Sequence, residues 1–102
     1  MDRDPRLTVL GTGYLGLVHA ACLAEAGFHV LGVDTDARLI GELNVGRLAI
    51  HEPRLAELVR RGLRSGRLSF TTSYRRAAAF GDVHFVCVGT PPRADGSADL
   101  SQ

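Results

Sequence analysis

The hexapeptide Gly11-Thr12-Gly13-Tyr14-Leu15-Gly16 constrains this chain more than any other feature, because it joins an apolar run to a Leu/Ala-rich segment. Leu7-Thr8-Val9-Leu10 is short, apolar and partly β-branched, which reads as a buried strand stopped by glycine. Residues 14–26 then place Leu15, Val18, Cys22 and Ala26 at helical spacing, the apolar stripe expected to pack, and Gly27 ends the segment. A strand that turns directly into a helix through G-x-G-x-x-G uses each glycine differently. The first permits a tight turn, the second lets a ligand approach the backbone, and the third lets helix and strand pack closely. The new helix offers free N–H groups and a partial positive charge at its N-terminus, which suits the pyrophosphate of a dinucleotide.

The remaining residues repeat the alternation of strand and helix. His29-Val30-Leu31-Gly32-Val33 reads as a second strand, and residues 37–43 as a helix interrupted by Asn44 and Gly46. Glu52-Pro53 opens a further helix, with proline at its first position and Leu55, Leu58, Val59 and Leu63 on one face. Arg60, Arg61, Arg64 and Arg67 read as a solvated helix end that complements the dipole rather than as a phosphate site. Leu68-Ser69-Phe70-Thr71 is a third strand, Thr72 or Ser73 caps a short helix through Ala79, and residues 83–88 form a fourth strand ended by Gly89-Thr90-Pro91-Pro92.

Strands apolar on both faces, separated by helices, predict an α/β fold with a parallel sheet covered on both sides. Right-handed crossovers favour a Rossmann-type, doubly wound sheet in the order 3-2-1-4. A complete sheet of this type has about six strands, so the sheet is expected to be incomplete here. The fourth strand would then be an exposed apolar edge, prone to association in the isolated chain. Asp99-Leu100-Ser101-Gln102 resembles the start of another helix.

Asp34 ends the second strand 18 residues after the last glycine, near the spacing of about 20 expected of a ribose-binding acid. Its carboxylate is placed to accept hydrogen bonds from both adenosine ribose hydroxyls. It would also oppose a 2′-phosphate, by about 4 kcal/mol for unit charges about 4 Å apart at an effective dielectric of 20. NAD rather than NADP is the expected cofactor. Arg38, four residues on, is placed to stack on adenine or meet a 2′-phosphate, with a solvated surface arginine as the competing reading.

Composition narrows the chemistry. The 102 residues carry twelve basic and eleven acidic side chains, too balanced to indicate nucleic-acid or membrane binding, and no aromatic-interleaved basic module appears. Every basic residue is arginine, which excludes lysine chemistry within these residues. No run approaches the roughly 18 apolar residues of a membrane span, and a cytoplasmic protein is expected. Cys22 and Cys87 form no metal-ligand cluster. Cys22 is expected as an inert packed thiol in the helix stripe, and Cys87 lies in a strand without an activating neighbour. His19, His29, His51 and His84 lack an acid or nucleophile at useful spacing and read as structural.

Several separated blocks together resemble the UDP-glucose/GDP-mannose dehydrogenase family from Leu7 to Ser101. They are Gly11 to Gly16, Val33-Asp34, Leu43-Asn44-Val45-Gly46, Ile50-His51-Glu52-Pro53, Gly66-Arg67-Leu68-Ser69-Phe70-Thr71-Thr72, Val88-Gly89-Thr90-Pro91-Pro92 and Gly96-Ser97-Ala98-Asp99-Leu100. The family oxidises the C6 alcohol of a nucleotide sugar to a carboxylate with two NAD and a cysteine thiolate. The resemblance is greatest to members that convert UDP-glucose to UDP-glucuronate.

The resemblance implies NAD contacts from Gly11, Thr12, Gly13, Tyr14, Leu15, Gly16, Asp34 and the segment Cys87, Val88, Gly89, Thr90, Pro91. The end of the fourth strand faces the end of the first across the topological switch point, which suits that last segment. The family's basic residue usually stands at the position of Leu39, one place after Arg38. Its catalytic cysteine, the partners of that cysteine and its sugar-nucleotide domain correspond to later segments. Residues 1–102 are therefore expected to be the N-terminal portion of a dinucleotide-binding domain, inactive alone and meeting the nucleotide sugar only through other segments. A homo-oligomer is implied for the full-length protein. The alternatives are a non-catalytic or vestigial dinucleotide-binding module, and a relative acting on GDP-mannose or a UDP-N-acetyl sugar.

Overall fold

The computed structural model describes residues 4–49 and 51–87. Along the chain run β1 (Arg6–Leu10), α1 (Tyr14–Glu25), β2 (His29–Val33), α2 (Ala37–Asn44), α3 (Pro53–Ser65), β3 (Leu68–Thr71), α4 (Tyr74–Phe80) and β4 (Val83–Val86). The strands form one parallel sheet in the order β3-β2-β1-β4, as the crossover rule predicts. Leu10 pairs with Val33 on one side and Val86 on the other, so three strand ends reach the same rim. The expected extension of the fourth strand to Val88, the Gly89 to Pro92 stop and the helix start near Asp99 lie outside the described residues.

Alternate residues of the strands feed two cores. On one face Leu7, Val9, Val30, Leu68 and Phe70 meet α1, α2 and α3, including Leu17, Ile40, Leu43, Leu55 and Val59. On the other, Leu31 and Val33 pack with Ala77 of α4, with Leu10 and Phe80 beside them. β1 and β2 are accordingly buried on both faces. The outer strands depart from that expectation: β3 alternates, while β4 leaves Val83 and Val86 exposed, with β1 on one side and no described strand on the other.

The buried face of α1 differs from the stripe expected from spacing. Gly16, Leu17, Ala20, Ala21 and Ala24 are buried, whereas Leu15 and Cys22 are exposed, so Cys22 is not a packed thiol. The helix is apolar nearly all round, and periodicity cannot select a face there. Close approach selects it instead. Gly16, Ala20 and Ala24 lie four residues apart, and a Cβ at Gly62 of α3 would touch the Ala24 Cβ at 3.5 Å. The stripe of α3 falls as expected, with Leu55 and Val59 buried and Leu58 and Leu63 partly buried.

The edge at β3 is finished by a side chain. Asn44 Nδ2 donates to the Phe70 carbonyl at 3.0 Å, and the Phe70 N–H donates to Asn44 Oδ1 at 3.1 Å. The amide thereby takes up backbone groups that an additional strand would otherwise use. Asn44 thus does more than interrupt a helix.

Candidate functional site

The site is built where β1 runs into α1. Gly11 has φ +100, a left-handed conformation that glycine adopts without Cβ strain. Its N–H donates to the Val33 carbonyl at 2.8 Å, extending the β1–β2 ladder one residue beyond the strand. The chain then turns through Gly13, whose carbonyl accepts the Leu17 N–H at 2.8 Å and so opens α1. A Cβ at Gly16 would lie 1.8 Å from the Gly11 carbonyl oxygen and 3.2 Å from the Cys87 Cβ. Only a bare backbone permits that crossing of helix, loop and fourth-strand end.

Gly13 has a different basis. Its φ of −67 and ψ of −169 are open to any residue, and a Cβ there would meet nothing within 4 Å. The packing of the described residues therefore does not require glycine, whereas a phosphate laid against the backbone does. Among the described residues no side chain caps α1, and no acid lies in its first turn. Tyr14 and Leu15 are exposed beside it.

Asp34 reaches this loop because its own N–H continues the β2–β3 ladder, donating to the Thr71 carbonyl at 3.2 Å. Its Oδ2 accepts the Thr12 N–H at 3.0 Å and the Thr12 hydroxyl at 3.2 Å, and its Oδ1 accepts the Asp36 N–H at 3.1 Å. Partial burial acts to raise its pKa. That effect is outweighed by hydrogen bonds from the Thr12 and Asp36 N–H groups, the Thr12 hydroxyl and the Thr35 N–H, which hold the carboxyl below its ordinary value. The acid is thus kept charged at the rim where a ribose would lie.

Cys87 abuts the same loop, its N–H donating to the Leu10 carbonyl at 2.8 Å. Arg38 lies elsewhere. It is exposed on α2 and lines a groove of about 610 Å³ with Leu39, Glu42, Arg47 and Arg60. Val88, Gly89, Thr90 and Pro91 lie outside the described residues. The structure therefore gathers Gly11, Thr12, Gly13, Tyr14, Leu15, Gly16, Asp34 and Cys87 around one strand-to-helix turn. Sequence reasoning missed the bond from the Thr12 hydroxyl to Asp34. Its signal was present in the parallel pairing of the first two strands, which sets the residues after Leu10 beside those after Val33.

Cations on α3 and just beyond its end are engaged along its flank. Arg61 pairs with Glu25 at 2.8 Å, Arg64 with Glu57 at 3.3 Å, and Arg67 Nε donates to the Gly27 carbonyl at 3.2 Å. Among the described residues no helix is long and apolar enough to cross a membrane, and no group of three or more His, Cys, Asp or Glu side chains is arranged to hold a metal ion.

Comparison with known proteins agrees with this geometry. Residues 5–102 match the model of the UDP-glucose/GDP-mannose dehydrogenase family, NAD binding domain. UDP-glucose 6-dehydrogenase YwqF of Bacillus subtilis is 48% identical over 96 residues, which are 94% of this chain and 22% of that protein. The UDP-glucose dehydrogenase structure from the archaeon Pyrobaculum islandicum superposes with a TM-score of 0.91 at 47% identity, covering 97% of this chain and 23% of that one. The ternary complex of GDP-mannose dehydrogenase from Pseudomonas aeruginosa gives 0.90 at 43% identity, over 93% and 22% of the two chains. This chain thus spans about a fifth of the length of the relatives it matches. With its glycine turn, the acid bonded to that turn and the sheet order all in place, the chain belongs to the UDP-glucose/GDP-mannose dehydrogenase family, in its NAD binding domain.

Proposed function

We propose that residues 1–102 are the N-terminal portion of a dinucleotide-binding domain serving the oxidation of UDP-glucose to UDP-glucuronate, with the reacting groups and sugar-nucleotide contacts on other segments. The observation that carries this reading is the charged Asp34 carboxylate held against the glycine turn at the start of a helix without a side-chain cap. Bound NAD would accept the hydride, and an alcohol taken to a carboxylate delivers two hydrides, hence two NAD. The chain's own residues bind and orient. The N–H groups of Tyr14, Leu15 and Gly16 face the pyrophosphate, the bare backbone at Gly13 allows it close, and Asp34 accepts from the adenosine ribose. Cys87, Val88, Gly89, Thr90 and Pro91 border the cofactor from the end of the fourth strand, whereas Arg38, exposed on α2 away from the turn, is left as a solvated surface arginine.

The family also contains enzymes acting on other nucleotide sugars, and the Pseudomonas aeruginosa GDP-mannose 6-dehydrogenase is 43% identical over 95 residues. GDP-mannose is therefore one competing substrate, and a UDP-N-acetyl sugar is another. A cytoplasmic site of action is part of this proposal. In the full-length protein, Asp34→Ala is expected to weaken NAD binding about tenfold or more, by loss of a charge-assisted hydrogen bond. Calorimetric titration with NAD checks this, and unchanged affinity would remove Asp34 from the cofactor site.

A further inference from the structure

Thr12 occupies the second position of the glycine turn yet is only 2% exposed, so its hydroxyl is not offered to the open side of the loop. Two contacts fix its direction. Its methyl lies beside Gly32, where a Cβ would meet the Phe70 ring at 2.6 Å and Thr12 Cγ2 at 3.2 Å, so the bare backbone there admits the ring chiefly and the methyl alongside it. Its hydroxyl then points at Asp34 Oδ2, which also receives the Thr12 N–H. A carboxylate turns readily about its last side-chain bond unless both oxygens are held. Here Thr12 holds one oxygen and the Asp36 N–H the other.

We propose that Thr12 is a positioning residue for cofactor selectivity, its buried hydroxyl fixing the plane of the Asp34 carboxylate toward the adenosine ribose and so sharpening the preference for a 2′-hydroxyl over a 2′-phosphate. The inference rests on Asp34 being the ribose acceptor. A fixed carboxylate meets the ribose hydroxyl without first losing rotational freedom, and it cannot swing aside to relieve repulsion from a 2′-phosphate. Without the hydroxyl, Oδ2 keeps only the Thr12 N–H and Oδ1 the Asp36 N–H, so the carboxylate is loosened rather than freed, accepting the hydroxyl less well and tolerating the phosphate better. Selectivity therefore falls from both sides.

The test is titration of the full-length protein with NAD and with NADP for wild type, Thr12→Val, Thr12→Ala, Thr12→Ser and Asp34→Ala. Thr12→Val keeps the methyl beside Gly32 and removes the hydroxyl, while Thr12→Ser does the reverse. Removal of the hydroxyl is expected to lower the NAD-over-NADP affinity ratio about tenfold, and Thr12→Ser to hold it within about twofold. A packing role predicts the opposite order, with Thr12→Ser impaired and Thr12→Val normal, and that result overturns the proposal. Should Thr12→Val fail to fold, Thr12→Ser and Thr12→Ala differ by a single oxygen, and equal ratios in those two overturn it as well. A silent Asp34→Ala defeats the ribose reading itself, whereas an impaired Asp34→Ala beside a normal Thr12→Val defeats this inference alone.

Discussion

The start of α1 and the starts of the other helices solve the same problem differently. The first N–H groups of any α-helix lack partners within it. Asp36 accepts from the N–H groups of Arg38 and Leu39 at α2, Glu52 from that of Arg54 at α3, and Ser73 from that of Arg76 at α4. α1 follows Gly13, and among the described residues no side chain caps it by a hydrogen bond. A cap of this kind contributes about 1 kcal/mol, and α1, packed against β1, β2 and α3, does without one. The contrast teaches where the chain is shaped for stability and where for a ligand: α2, α3 and α4 are closed by their own capping side chains, and α1, the helix proposed to meet the cofactor, keeps its donors available.

The most disruptive way to probe that contrast is at Gly16. An alanine Cβ would press on the Gly11 carbonyl carbon and oxygen, both backbone atoms, at 2.9 and 1.8 Å. Neither can yield without opening the turn between β1 and α1. Gly16→Ala is expected to cost about 3 kcal/mol or more, at the upper end of overpacking effects, read as a lowered midpoint in denaturant unfolding of the full-length protein. A midpoint equal to wild type would show that the turn is not closed in this way.

Gly13→Asp sharpens the comparison, because it gives α1 the kind of cap its neighbours possess. The backbone there is already extended and the space beside it open, so stability is expected to hold or to rise by about 0.5 kcal/mol from capping and the helix dipole. NAD affinity is expected to fall by about a hundredfold, since the new carboxylate occupies the place of the pyrophosphate and repels it. Opposite signs in unfolding and in NAD titration would separate a helix start kept open for a ligand from one merely left unfinished. Undiminished NAD affinity would break the comparison.

Much of this arrangement was legible in the chain because each signal is local. Strand runs bounded by glycine, Pro53 and Ser73 at helix starts, and the glycine turn each state their structure within a few residues, and the handedness of crossovers does the rest. The face of α1 was not legible, because Leu15, Val18 and Cys22 form as good an apolar stripe as Leu17, Ala21 and Ala24. The decision came from how closely Gly16 and Ala24 let other backbone approach, a property of the assembled layers. Asn44 on the edge of β3 and Thr12 on Asp34 escaped for a related reason. Each joins residues more than twenty positions apart, and neither pairing is marked by composition or period.

The smallest expected effect concerns the acid that sits beside the open helix start. Hydrogen bonds to the loop hold the Asp34 carboxyl below its unfolded-state value of 3.8, so the native state favours the charged form. By linkage, the stabilisation is fully present above pH 3.8 and disappears as pH falls through the lower native value. Asp34→Asn has no carboxyl to titrate and lacks this contribution at every pH. The stability difference between wild type and Asp34→Asn should therefore be constant at neutral pH and shrink as the solution is acidified below pH 3.8. Denaturant unfolding along a pH series measures it. A difference that persists unchanged at the acid end would mean that the bonds from Thr12 and Asp36 hold the protonated side chain as well as the charged one, leaving Asp34 as a structural strut of the turn.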